Sequence, residues 1–154
     1  MIAAAPGKIV LSGAYAVLEG APALVTAVDR YVMADTTKQA ERRTDEIDAA
    51  IEAGVLRVTP WFDARALRTP TEDGDRKLGL GSSAAIVVAA IAAGALERGA
   101  GGDHLGEHVF SDALAAHRVA QPSGSGVDVA ASCFGGVIRC ELDADRKLRV
   151  RQQR

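Results

Sequence analysis

The order of apolar patterns along this chain predicts an α+β fold. Strand-like stretches fill most of the first half, two long helical stretches follow, and a strand-like pair closes the chain. The stretches do not alternate as strand-helix-strand units, so a doubly wound parallel sheet is not indicated. With 154 residues, 48% apolar and 25% charged, the chain has the size and balance of one domain that buries a real core.

Taken in order, "KIVLSG" (8–13) reads as a short buried strand behind a Pro6-Gly7 break. Residues 21–38, dense in Val and Tyr and turned by Gly20 and Pro22, read as one or two strands. "TDEIDAAIEAG" (44–54) is a short helix with Thr44 as N-cap, acids in the first turn and Gly54 past its end. Residues 57–69 have strand character interrupted by Pro60, and Asp73-Gly74 marks a tight turn. From 83 to 96 the residues are small and apolar on every side, which predicts a central helix packed all round and stopping near Gly99. A second helix is expected over 102–121, polar on one side and closed by Pro122. "GGVIRCELD" (135–143) and "KLRVR" (147–151) finish as a strand pair.

Composition excludes several function classes. A formal charge of −2 provides no basic field for nucleic acid or an anionic membrane, and aromatics at 4% make base-stacking platforms improbable. The longest apolar run, 84–96, is too short to span a bilayer. At the N-terminus, Lys8 sits inside the apolar stretch rather than ahead of it, unlike a secretory signal. A cytoplasmic location is the resulting expectation. Cys133 and Cys140 lack metal-ligand spacing and read as packing residues. His104 and His108 stand four apart without the glutamate of an HExxH motif, and read as surface residues of a helix.

The stretch "KLGLGSSAAIVVAA" (77–90) carries the chemistry. It is neither a Walker A loop nor a dinucleotide-binding fingerprint, since Ala84 fills the place of the last glycine. Its physics can still be theirs. Gly79 and Gly81 let the backbone approach a ligand, and a helix starting near Ser83 aims unpaired N–H groups and its positive end at the loop. The Ser82 and Ser83 hydroxyls can cap that helix, hold a phosphate oxygen or ligate Mg²⁺. Two further segments stand either side of it: "APGKIVLSGAYAVLEGAPALVTAVD" (5–29) and "AHRVAQPSGSGVDVAASCFGG" (116–136). In the latter, Asp128 follows a turn opened by Gly124 and Gly126, and is either a helix cap or a group that takes or orients an acceptor proton. Lys8 is either a solvated strand end or a positive charge that meets Asp128. Ser125 is either a cap or a substrate contact.

Together, and in this order, the three segments resemble the signature segments of the GHMP family of small-molecule kinases, which includes galactokinase, homoserine, mevalonate and phosphomevalonate kinases. The resemblance implies the N-terminal, ATP-binding lobe of that fold (ribosomal protein S5 domain 2-like), a mixed or antiparallel sheet with packed helices, over 1–154. It also implies ATP held by Gly79, Leu80, Gly81, Ser82, Ser83 and Ala84, Mg²⁺ held by Ser83, and substrate met by Lys8, Ser125, Gly126 and Asp128, with Asp128 and Lys8 catalytic. The third segment is most similar to phosphomevalonate kinases, with mevalonate kinases next. His117 stands where mevalonate kinases usually place a glutamate that ligates magnesium, which leaves Ser83 and the nucleotide's own oxygens. Ala14 stands where "GEY" or "GEH" has its acid.

The family's C-terminal domain is absent from the expected organisation, since "DADRKLRVRQQR" (143–154) contains no third glycine-rich segment. An apolar face left uncovered there predicts self-association. Phosphoryl transfer to phosphomevalonate, or to mevalonate or another acceptor of the family, is therefore weighed against a truncated, non-catalytic nucleotide-binding module. Residues recognising the acceptor are poorly marked; Arg30, Lys77 and Arg118 qualify by charge, and Trp61 and Phe62 could wall an adenine pocket or fill the core.

Overall fold

The computed structural model describes residues 1–102 and 104–153, so Asp103, inside the expected second helix, and the last residue of the expected domain lie outside the described residues. The architecture is α+β. Strand β1 (Ile2–Ser12) runs antiparallel to β2 (Ala23–Gln39), a single strand of 17 residues. The far side of β2 is shared by two antiparallel partners: β6 (Val137–Leu142) pairs its first residues and β3 (Pro60–Asp63) its last. β7 (Leu148–Gln153) adds to β6, and β4 (Arg68–Thr71) and β5 (Gly74–Lys77) form a separate hairpin. Every pairing among the described residues is antiparallel.

Strand β1 departs from expectation in two ways. It begins at Ile2 rather than Lys8, and most of its second half is exposed instead of buried. Pro6-Gly7 does not break the strand. It makes a register shift between Pro6 and Lys8, a bulge on an edge strand, where the missing N–H of proline costs no ladder bond. The exposed side of β1 and β2 carries Ile9, Leu11, Tyr31 and Met33.

The opposite face of the sheet is covered by helices. α1 (Asp45–Glu52) is capped as expected, with the Thr44 hydroxyl accepting from Ile47 N–H at 3.3 Å. α2 (Ser82–Glu97) lies at the centre, buried without interruption from Ala84 to Ala95. Alanine and glycine let it approach β1 and β2 closely, and Val87 and Ile91 fill the main core with Val32, Ile47 and Leu67. Burial of such side chains contributes about 1.5–3 kcal/mol each. α3 (Leu105–Ala120) is amphipathic and shorter at its N-terminus than the expected 102–121. The remaining helix, α4 (Val127–Phe134), is one the sequence pattern did not separate from its glycine-rich turn. It seals a second cluster with Val25, Ile138 and Cys140, and the Phe110 and Phe134 rings, 5.0 Å apart, join α3 to it.

Both cysteines are free, and burial pushes the Cys133 thiol up to about 12 and that of Cys140 up to about 11, consistent with packing roles. His104 and His108 are exposed, as expected of surface residues. Among the described residues, no helix is long and apolar enough to cross a membrane.

Candidate active site

The site is assembled around the bulge in β1. Lys8 N–H donates to the Leu80 carbonyl at 2.9 Å, so the strand edge holds the glycine loop directly. Ser132 Oγ on α4 donates to the Pro6 carbonyl at 2.8 Å, which ties the third segment to the same bulge. Gly7 is required between them: a Cβ there would come within 2.7 Å of the Leu67 side chain and 2.8 Å of the Leu80 carbonyl oxygen.

The loop then turns through Gly79 and Gly81, with φ of 76° and 72°, a region that favours glycine. Helix α2 starts at Ser82, next to the expected Ser83, with Gly81 as its N-cap. No side chain caps it, although Ser82 and Ser83 were candidates. Its first turn therefore presents N–H groups that a helix cannot satisfy internally, together with its positive end.

Ser82 and Ser83 line a cleft of about 460 Å³. Arg42, Arg43, Arg65, Arg68 and Lys77 supply positive charge around it; Trp61 and Phe62 also line it, with Phe62 packed against the main core and Lys38 Nζ 4.6 Å over the Trp61 ring. Arg68 and Lys77 face each other across the β4–β5 hairpin. Arg68 Nη2 donates to the Asp75 carbonyl at 2.9 Å, while its Nε is buried with no partner among the described residues. Asp63, also on the wall, is held below the usual carboxylate range by the Arg65 guanidinium beside it. A cationic cleft with an aromatic side at an uncapped helix start suits an aromatic anion carrying several phosphate charges.

Lys8 and Asp128 approach the same point from two elements. A Cβ on Gly81 would lie 3.0 Å from Lys8 Cε and 3.6 Å from Asp128 Cβ. Both side chains thus adjoin the loop, but the expected ion pair between them does not form among the described residues. Asp128 instead meets His117, with Nε2 3.6 Å from Oδ1, and the same Oδ1 accepts from Val129 N–H at 3.0 Å. Asp128 is the second residue of α4 and not its cap; Gly126 caps it, with φ of 82°. Gly126 is buried, and Ser125 Oγ lies 3.5 Å from Val127 N, so both have local roles in starting α4.

Among the charges weighed for the acceptor, Lys77 alone lines the cleft. Arg30 Nη1 donates to the Ala66 carbonyl at 3.1 Å and Arg118 Nη2 to the Arg146 carbonyl at 3.1 Å. Sequence reasoning passed over Gly7, Arg68, Ser132 and the placement of His117. A serine inside a helix and an arginine in a hairpin carry no local signal of such roles, whereas a glycine after proline in an apolar strand can mark a bulge.

Residues 66–136 match the family described as the GHMP kinases N terminal domain. The chain carries a GHMP kinase N-terminal domain. The match takes in the glycine loop, α2 and Asp128, and leaves Lys8 outside. The chain is 34% identical over 151 residues to a mevalonate kinase of Archaeoglobus fulgidus, covering 88% of this chain and 51% of that protein. To a phosphomevalonate kinase of a Streptomyces species it is 29% identical over 180 residues, covering 87% and 47%. The chain thus spans about half the length of the curated relatives it matches. Its fold is similar to that of the Streptococcus pneumoniae phosphomevalonate kinase solved in complex with phosphomevalonate and AMPPNP. That similarity has a TM-score of 0.72 at 18% identity, over 99% of this chain and 58% of the other.

Proposed function

We propose that this GHMP domain is the ATP-binding half of a kinase that transfers a phosphoryl group to phosphomevalonate. The observation that carries the reading is the convergence of Gly81, Lys8 and Asp128 at the start of an uncapped helix, beside a cationic cleft. The amides of the first turn of α2 hold the nucleotide's phosphates, and Arg68 and Lys77 offset their charge. Trp61 flanks the base, while Phe62 packs against the core behind it. Lys8 adds positive charge where the transferred group and its acceptor meet, and Asp128 orients the acceptor or takes its proton.

Magnesium fits this site only in part. Among the described residues there is no group of three His, Cys, Asp or Glu side chains that could hold a metal ion. The Ser83 hydroxyl, free of a helix-capping bond, would hold the ion together with the nucleotide's oxygens. When bound, the ion supplies charge neutralisation on the phosphates.

His117, standing where mevalonate kinases usually carry glutamate, supports phosphomevalonate as acceptor. Mevalonate is the second reading, supported by the 34% identity to a protein named mevalonate kinase. The exposed apolar strand face of β1 and β2 belongs to the same proposal as a surface for self-association, read out by sedimentation.

Nucleotide binding is measurable on the chain itself. Trp61 is the only tryptophan, so MgATP should change its fluorescence, and Ser83→Ala should weaken the titration. In the form of the protein that turns over, Asp128→Asn should cut turnover roughly 10²–10⁴-fold and leave nucleotide affinity within a few-fold. Phosphomevalonate should be the best acceptor, mevalonate poor and galactose inert. Equal turnover in wild type and Asp128→Asn would overturn the role of Asp128.

A further inference from the structure

We propose that His117 is a positioning residue for Asp128, held as its Nε2–H tautomer by the packing of α3 against α4. The imidazole is 1% exposed, near the C-terminal end of α3, and its Nε2 lies 3.6 Å from Asp128 Oδ1. Its Nδ1 is buried with no partner among the described residues. These two facts decide the tautomer. With the proton on Nε2, the ring presents N–H to the carboxylate and leaves only a bare acceptor unpaired. With the proton on Nδ1, a buried donor is orphaned at a cost of about 1–3 kcal/mol, and a lone pair faces a carboxylate.

The surroundings leave His117 no other duty. Glu46, the buried acid on α1, is occupied by Gln121 Nε2 at 3.0 Å. Lys8 on β1 also adjoins Gly81, beside Asp128, but makes no ion pair with it or with His117 among the described residues. Gly124 closes over the ring, its Cβ position 3.7 Å from Nε2. Asp128 is thus backed by an imidazole on one Oδ1 and by Val129 N–H on the same atom. That leaves Oδ2 with no hydrogen bond among the described residues, as the oxygen available to an acceptor. The link to catalysis rests on the kinase reading of Asp128; the contact itself does not.

The experiment is long-range ¹H–¹⁵N correlation of the histidine side chains in this chain, with three-bond couplings that report the Asp128 χ1 rotamer. The expected result is the Nε2–H tautomer for His117 and a single Asp128 rotamer. Asp128→Asn, at a partly exposed position, should displace the His117 Nε2 resonance while the fold persists. His117→Gln, which keeps a donor near the place of Nε2, should retain the single rotamer, and His117→Leu should average it. An Nδ1–H tautomer, an Nε2 signal unmoved by Asp128→Asn, or a single rotamer kept in His117→Leu each overturns the proposal. If the couplings behave as expected but Asp128→Asn leaves turnover unchanged, the kinase role of Asp128 falls and the positioning contact stands.

Discussion

Helices α2 and α4 are entered in the same way and present opposite environments. Each starts after a glycine in the left-handed region, Gly81 and Gly126, and neither is capped by a side chain of its N-cap residue. At α4 the first amides are answered nearby: Ser125 Oγ lies 3.5 Å from Val127 N, and Asp128 accepts from Val129 N–H. In front of Gly126 stands the Leu114 side chain. At α2 no side chain answers the first turn, a Cβ on Gly79 would meet nothing within 4 Å, and Ser82 and Ser83 open onto the cationic cleft. A glycine before a helix therefore says little about binding by itself. What distinguishes a cradle from a turn is whether the donors are already taken and whether space lies ahead of them.

The comparison can be broken most sharply at Gly126. Alanine there is strained by its positive φ, and its methyl would overlap Leu114. Left-handed strain of about 1–2 kcal/mol and overpacking of about 1–3 kcal/mol combine to a large share of a typical domain's stability. Urea denaturation should show a midpoint well below wild type; an unchanged midpoint would mean that α4 does not depend on this turn. Gly81→Ala should cost less stability, about 1–2 kcal/mol, because the group it meets at 3.0 Å is the movable Lys8 side chain. Its larger effect should be on nucleotide affinity, and a Trp61 titration that matches wild type would remove Gly81 from the cradle. Smallest is Thr44→Ala, which removes the hydroxyl cap of α1 at a cost of about 1 kcal/mol, read as a small drop in the urea midpoint. An unchanged midpoint would mean that the Thr44 hydroxyl does not stabilise α1.

Much of this contrast was legible in the residues, for reasons that differ by element. Thr44, with acids behind it and Gly54 beyond, marks α1 from both ends, and the unbroken apolar run marks α2 as central. These signals are local and match the structure to within a residue or two. The bulge at Pro6-Gly7 was misread as a break, because proline and glycine punctuate strands far more often than they bend them. Helix α4 was hidden because its eight residues follow a turn and offer too few periods for a pattern. The positions of Lys8 and Asp128 around Gly81 were anticipated through three separated motifs and not through spacing. That Asp128 meets His117 instead of Lys8 is a tertiary feature: the buried environment of His117 is created by α3 packing on α4 and has no counterpart in local sequence.

The bulge in β1 also has a bearing on the order in which the molecule assembles. Ser132 and the Pro6 carbonyl are 126 positions apart, and Leu80 joins them at the same few atoms. Bringing such distant segments together costs loop-closure entropy that only the finished core offsets, so this junction forms late in folding, together with the core, and is held for as long as the core lasts. The amide of Lys8 is the natural reporter of that event. Its hydrogen exchange should follow unfolding of the whole domain, whereas amides at the far end of β1 fray locally. Exchange of Lys8 as fast as that of the strand ends would show that the glycine loop detaches while the core remains intact.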